Sequence, residues 1–141
     1  MKKLFIILIL LLSLISRISA QNNNPMIKNE SSKLAVLWTN GDPEVAEKVC
    51  FMYTLNAKKQ AWFDEVVLIV WGPSAKLLSE NSTLQESVRK MEEAGIKVEA
   101  CLACANMYNI ADKLKGMNID VKYMGVPLTN YLKTGWKVLT F

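Results

Sequence analysis

The sequence predicts an α/β fold: a single domain with a five-stranded, mostly parallel sheet and helices on both faces. Two observations predict this fold. Short aliphatic runs alternate with amphipathic stretches of helical periodicity. Glycine or proline stands at most of the boundaries between them. The alternation implies parallel strands joined by right-handed helical crossovers, and about 120 residues beyond the first twenty suffice for one hydrophobic core.

The five predicted strands are nearly continuous apolar runs, which is typical of strands buried on both faces. They cover Leu34–Trp38, Val66–Trp71, Ile96–Leu102, Val121–Val126 and Lys137–Phe141.

The first predicted helix runs from Pro43 to about Trp62, because Asp42 is a good N-cap residue and proline suits the first helical position. Helical spacing predicts its inner stripe: Val45, Val49, Met52, Tyr53 and Asn56. The other predicted helices cover Ala75–Leu78, Thr83–Ala94, Ala103–Lys115 and Pro127–Lys133. Leu84, Val88 and Met91 share one face of the third, and Gly95 ends it.

The first twenty residues have the layout of a secretory signal peptide. Lys2 and Lys3 precede the aliphatic run Leu4–Ile15, and Ser19-Ala20 offers small residues at a cleavage point. That run gives about 18 Å of helix against a hydrocarbon core of about 30 Å, so we expect no permanent membrane anchor. We expect cleavage after Ala20 and export to the periplasm or the exterior. Residues 21–32 predict a flexible linker, and residues 33–141 the folded domain.

Composition excludes several classes of function. The 141 residues carry a formal net charge of +4, but three basic residues lie in the predicted signal peptide, so we expect no nucleic-acid partner. The chain has no histidine, which excludes Ser-His and Cys-His catalytic pairs and zinc sites with imidazole ligands. No glycine pattern matches a dinucleotide fingerprint or a P-loop, so no nucleotide cofactor is expected.

The pair Cys101 and Cys104 falls where the third predicted strand passes into a helix. Ligands of such sheets bind beyond the carboxyl ends of the strands. A thiol at a helix N-terminus meets free N–H groups and the positive end of the helix dipole, which favour the thiolate. Because the chain lacks histidine, activation must come from the backbone or from a lysine brought in by the fold. Cys101 is therefore the candidate nucleophile.

Other interpretations of the cysteines stay open. One member of the pair is a packing residue, or the pair forms a disulfide, either redox-active or structural. A Cys₄ metal site needs two more thiolates, and Cys50 is the only other cysteine, so no metal is expected within one chain. We expect Cys50 to lie in the middle of the first helix and to pack in the hydrophobic core. Trp38 and Trp71 end neighbouring strands and are candidates either for packing or for the walls of an apolar pocket.

Two segments resemble the DsrE/DsrF-like family: Val98–Ile110, with its two cysteines, and the ending Gly125–Phe141. The resemblance covers nearly the whole domain. It implies a five-stranded α/β domain that is usually a homo-oligomer, a trimer or a hexamer. The family's sulfur carriers hold sulfur as a persulfide on the cysteine that corresponds to Cys101, and Cys104 matches a second cysteine of some members.

Three hypotheses of function follow. In the first, an exported sulfur-handling protein carries sulfane sulfur as a persulfide on Cys101, and Cys104 resolves or releases it. Its partners would be sulfur donor and acceptor proteins or small sulfane-sulfur compounds. In the second, the chain is a non-catalytic oligomeric module that binds a small ligand in an apolar cleft edged by Trp38 and Trp71. In the third, it is a dithiol redox protein that uses Cys101 and Cys104.

Overall fold

The computed structural model describes residues 32–141, so the predicted signal peptide and nearly all of the predicted linker lie outside the described residues. The described chain forms one five-stranded sheet in which every pair of neighbouring strands is parallel, and the predicted α/β fold class is confirmed. The sheet order is β4-β3-β2-β1-β5. The strands are β1 (Lys33–Trp38), β2 (Glu65–Val70), β3 (Lys97–Cys101), β4 (Asp120–Lys122) and β5 (Lys137–Thr140).

Helices connect the strands in chain order. The first, α1, has three consecutive segments, with a π-helical segment between two α-helical ones: Pro43–Val45, Ala46–Phe51 and Met52–Lys59. The others are α2 (Pro73–Glu80), α3 (Ser82–Glu93), α4 (Leu102–Met107), α5 (Ala111–Lys115) and α6 (Gly125–Lys133). Within residues 32–141, none of these helices is long and apolar enough to cross a bilayer.

Side-chain caps begin two of the helices. The Asp42 carboxylate accepts hydrogen bonds from the backbone N–H groups of Glu44 and Val45, at 2.7 and 3.3 Å, as expected for the N-cap of α1. The Asn81 side chain accepts one from Leu84 at 3.0 Å at the start of α3. These caps satisfy donors that have no partner inside the helix.

The two faces of the sheet are covered unequally. From β1 to β4, each new strand is added on the same side of the sheet, whereas β5 is added on the other side of β1. Right-handed crossovers therefore place α6 on the face opposite α1 to α5. The larger core lies under α1 to α5 and includes Val36 and Ala100. The smaller core includes Ala35 and Cys101 and packs against α6. No residue of α6 is itself buried, so the second face has the thinner cover.

The predicted inner stripe of α1 is wrong at two positions. Val49 and Met52 are 43% and 57% exposed. The buried residues of α1 are instead Ala46, Cys50, Phe51, Thr54 and Ala57. The π-helical segment explains the difference, because its wider turn holds an extra residue and changes which side chains face the sheet.

Three predictions of element boundaries in the second half of the chain are also wrong. The predicted helix Ala103–Lys115 is interrupted between α4 and α5, where Asn109 adopts a left-handed conformation with φ of 55°. Asparagine tolerates that conformation better than most residues, and it ends the helix there. The fourth strand ends at Lys122, and α6 begins at Gly125 rather than Pro127. Pro127 fits in this first turn because N–H groups there lack helical acceptors.

Candidate functional site

Two thiols lie side by side at the carboxyl end of β3. Cys101 is the last residue of the strand and the N-cap of α4, with extended backbone angles. Cys104 follows in the first turn of α4, and its thiol interacts with that of Cys101. Both cysteines are free thiols. The structure thus brings the two cysteines singled out by their spacing to one place, at the sheet edge where ligands of parallel sheets bind.

The two thiols differ in their exposure to solvent. Cys101 is buried, with 3% of its surface exposed, whereas Cys104 is half-buried. Partial burial raises the pKa of the Cys104 thiol, and the neighbouring Cys101 raises it further, while the backbone N–H of Gly72 acts in the opposite direction. This environment favours the protonated form of the Cys104 thiol.

On its face of the sheet, Cys101 lies between an apolar region and a charged region. Toward β2 and β1 the face is apolar and includes Ala35, Val67 and Ile69. Met124 and Leu128 cover the site from the α6 side. Toward β4 lies the charged Lys122, which is the register partner of Cys101 in the neighbouring strand.

A buried carboxylate lies two residues before Cys101 and on the same face of β3. Glu99 has no exposed surface. One of its oxygens, Oε1, lies 2.5 Å from the Lys97 ammonium and 2.8 Å from that of Lys122. The hydroxyl of Tyr131 on α6 lies 3.1 Å from both oxygens of Glu99. Such a charge is stable in the interior only because it is paired and hydrogen-bonded on all sides.

Asp120 completes this charged cluster. Its Oδ2 atom lies 2.6 Å from the Lys122 Nζ, and this hydrogen bond is the main cause that lowers the pKa of Asp120. Burial disfavours the charged form of Lys122, but the hydrogen bonds that it donates to Asp120 and Glu99 outweigh this effect and raise the pKa of the lysine. Burial and the charge of Glu99 raise the pKa of Tyr131 to about 12. The cluster therefore joins two lysines and two carboxylates in ion pairs, with the phenol of Tyr131 beside them.

The sequence reasoning missed Glu99, although one signal was present. Glu99 and Cys101 alternate with the apolar Val98 and Ala100, and this period of two puts the carboxylate and the thiol on one face. The cations that hold the carboxylate could not be found in the same way. Lys122 reaches Glu99 only because β4 lies next to β3, and the strand order is not readable from the sequence.

Cys50 and Trp38 lie in the larger core, outside the site, whereas Trp71 packs against the smaller core that includes Cys101. Cys50 is fully buried in the larger core, as predicted, and burial raises the pKa of its thiol to about 12, a rise that Thr54 partly offsets. The predicted cleft edged by Trp38 and Trp71 is wrong. Trp38 pairs in register with Val70, so Trp71, one residue further, faces the opposite side of the sheet. Trp38 is fully buried and packs edge to face on Phe51.

Within residues 32–141, no group of three or more cysteine, aspartate or glutamate side chains is arranged to hold a metal ion. The described chain is thus a single-domain parallel α/β protein with a dithiol at the end of its third strand. The model of the DsrE/DsrF-like family matches residues 32–141. The chain belongs to this family.

Two solved structures share the fold of this chain, and one further protein resembles it in sequence. It is similar to a conserved protein of unknown function from Bacteroides thetaiotaomicron, with 36% identity, a TM-score of 0.75, and coverage of 78% of this chain and 95% of that one. The ychN protein from E. coli is 16% identical with a TM-score of 0.60, over 77% of this chain and 99% of that one, which shows the fold alone. An uncharacterized protein of Methanocaldococcus jannaschii is 32% identical over 82 residues, which are 54% of this chain and 65% of that protein.

Proposed function

We propose that this protein carries sulfane sulfur as a persulfide on Cys101, and that Cys104 resolves or releases it. The observation that carries the proposal is the contact between the two thiols at the end of β3. Membership of the DsrE/DsrF-like family supports it, because this membership suggests a sulfur relay.

The loading step is a thiol exchange that needs no outside oxidant. The Cys101 thiolate attacks the outer sulfur of a donor persulfide, R–S–SH, so that Cys101–S–SH forms and the donor leaves as RS⁻. An acceptor thiolate can then attack the same outer sulfur, which regenerates the Cys101 thiolate. Each exchange breaks one S–S bond and forms another, so the number of electrons is unchanged.

Cys104 offers a second route of release. Its thiolate attacks the inner sulfur of Cys101–S–SH, which forms the Cys101–Cys104 disulfide and expels HS⁻. Return to the dithiol then needs two electrons from a thiol reductant. Because its raised pKa keeps Cys104 protonated, this route is slow at rest and the stored persulfide is retained.

Burial of Cys101 shields a persulfide from water and stray thiols, but it also limits access. The route to the sulfur that the structure offers passes the half-buried Cys104.

We further propose that the protein is exported, with cleavage after Ala20, and that it works as a homo-oligomer, a trimer or a hexamer. Apolar side chains next to the thinly covered face support the second point, since Tyr123, Val126 and Leu132 are 68%, 72% and 63% exposed. Patches of this kind mark protein interfaces. Light scattering on the purified protein tests the assembly, and a monomer at micromolar concentration overturns it. Cell fractionation tests export, and retention of the uncleaved chain in the cytoplasm overturns it.

The proposed chemistry is tested by the intact mass of the purified protein before and after a persulfide donor. We expect one added sulfur atom in the wild type and in Cys104→Ser, and none in Cys101→Ser. Full sulfur uptake by Cys101→Ser overturns the assignment. The absence of an adduct while both thiols react with alkylating agents favours a binding module. A mass two hydrogens short that returns on reduction favours the dithiol redox function.

A further inference from the structure

A lysine lies beside the candidate nucleophile. Cys101 of β3 pairs in register with Lys122 of β4. Neighbouring strands are about 4.8 Å apart, and register partners of parallel strands point to the same face, so the two side chains begin about 5 Å apart. The chain has no histidine, and α4, which begins after Cys101, has six residues and correspondingly few aligned peptide dipoles. A thiolate at Cys101 therefore needs a cation from elsewhere in the fold.

Two carboxylates bind the Lys122 ammonium, which stabilises its charge and fixes its position. Its Nζ atom lies 2.6 Å from Asp120 and 2.8 Å from the fully buried Glu99. These contacts raise the lysine pKa in spite of burial, so Lys122 is still a cation at the pH where a thiol ionises.

We propose that Lys122 is the cation that favours the thiolate of Cys101 and the persulfide anion formed on it, and that Glu99 and Asp120 are positioning residues for Lys122. The persulfide part rests on the proposed function. The thiolate part does not, because it concerns the free thiol alone.

The charges that face Cys101 support this role. Glu99 and Lys97 come from β3, and Asp120 and Lys122 from β4. The titratable groups from the helices are the thiol of Cys104 on α4 and the phenol of Tyr131 on α6, both uncharged at neutral pH. In the described chain, β2 contributes only apolar residues to the smaller core at this point, among them Ile69. The four charges balance, so removal of Lys122 leaves a net negative charge beside the thiol.

The test is the rate of Cys101 alkylation by iodoacetamide as a function of pH, with the modified cysteine located by peptide fragmentation. Removal of the charge by Lys122→Met is expected to slow the alkylation of Cys101 at neutral pH about tenfold. Lys122→Arg keeps the charge and is expected to stay within about twofold of wild type.

Lys97→Met is the matched control. Lys97 contacts the same oxygen of Glu99 as Lys122 does, so the two ammonium groups lie close together, but the Lys97 side chain starts four residues before Cys101, about 13 Å along the strand, and that of Lys122 starts beside Cys101. Lys97→Met removes one cation from the same carboxylate, and we expect it to slow the alkylation of Cys101 clearly less than Lys122→Met does. Equal slowing by Lys97→Met and Lys122→Met overturns the proposal.

A second comparison covers the case in which Lys122→Met does not fold. Fully buried Cys50 reports on folding, because its alkylation requires opening of the larger core. If Cys50 becomes reactive in Lys122→Met, the single variant Glu99→Gln is compared with the double variant Glu99→Gln/Lys122→Met. The double variant removes the buried carboxylate together with the lysine, so no buried carboxylate is left without its cation. The double variant is expected to react about tenfold more slowly at Cys101. Equal rates overturn the proposal.

The outcomes for the two proposals are separate. If wild-type protein takes up no sulfur but Lys122→Met still shifts the alkylation profile, the sulfur-carrier function fails and the role of Lys122 for the thiolate stands. If sulfur uptake depends on Cys101 but Lys122→Met leaves the alkylation profile unchanged, only the role of Lys122 fails.

Discussion

The hydroxyl of Tyr131 lies 3.1 Å from each carboxylate oxygen of Glu99, so a residue of α6 holds a fully buried charge of β3. This contact ties the thinner cover of the sheet to the strand that carries Cys101. We expect Tyr131→Phe to lower the free energy of unfolding by about 1–2 kcal/mol, because a buried carboxylate loses a hydrogen-bond donor. Urea unfolding measures the loss. A loss near zero would mean that Glu99 is satisfied without α6.

The same phenol makes stability depend on alkaline pH. The folded state raises the pKa of Tyr131 to about 12, whereas a tyrosine in the unfolded chain ionises near about 10. Between these values the unfolded state releases a proton that the folded state keeps, so the free energy of unfolding falls as pH rises. Urea unfolding from pH 9 upward should show this fall, with a shallower slope in Tyr131→Phe. Identical slopes would contradict the prediction.

Loss of Glu99 and loss of Lys122 should lower the free energy of unfolding by different amounts. Glu99→Gln leaves a lysine whose side chain is 32% exposed and can turn to water, so we expect a loss of about 1 kcal/mol. Lys122→Met leaves a buried carboxylate short of a cation, and we expect about 2–4 kcal/mol. Urea unfolding of both variants measures the difference. The exposed pair Lys90–Glu86, at 3.6 Å, provides the control, because Lys90→Met should change stability by at most about 0.5 kcal/mol.

Cys50 and Cys104 should react with alkylating agents at very different rates. Burial raises the pKa of Cys50 to about 12, so little thiolate is present near neutral pH and the sulfur is shielded. We expect native Cys50 to react at least about a hundredfold more slowly than Cys104, which is half-buried. Peptide mapping after timed alkylation measures both rates, with a sample in urea as the control in which the difference disappears. Comparable native rates would place Cys50 outside the core.

The π-helical segment of α1 predicts a sharp contrast between neighbouring residues. Phe51 is buried against Trp38, with ring centroids 4.8 Å apart, and Phe51→Ala should cost about 3 kcal/mol. Met52 is 57% exposed, and Met52→Ala should change stability by at most about 0.5 kcal/mol. Thermal and urea unfolding of the two variants check the contrast. A large loss in Met52→Ala would restore the regular helical stripe predicted from spacing.

The sequence predicted what local patterns determine. Apolar runs bounded by glycine and proline identified the five strands, and Leu84, Val88 and Met91 form the buried face of α3 as their spacing predicts. The position of Cys101 at the junction of strand and helix was predictable for the same reason, because the residues that define the junction are adjacent in the chain. Gly95 likewise ends α3 with φ of 83°, which favours glycine.

The rest depends on relations that local patterns do not contain. The π-helical turn in α1 changes which residues face the sheet, and the amino-acid spacing there is compatible with a regular helix. The left-handed Asn109 breaks a stretch whose composition suits a continuous helix. The partners of Glu99 are brought together by the pairing of β3 with β4 and by the return of α6 across the opposite face. None of these relations is visible in a window of neighbouring residues.

The sheet order also has a consequence for the order of folding events. In residues 32–141, β1 and β5 are the first and last strands, yet they are neighbours, and Thr39 donates backbone and side-chain hydrogen bonds to the carbonyl of Phe141. This contact closes the longest loop in the sheet, and such contacts form late. Until β5 pairs with β1, one side of β1 is an unpaired edge, and its residues Leu34–Trp38 are all apolar. Unpaired edges of this kind promote aggregation. The arrival of β5, which begins with Lys137, replaces that edge with a charged and shorter one.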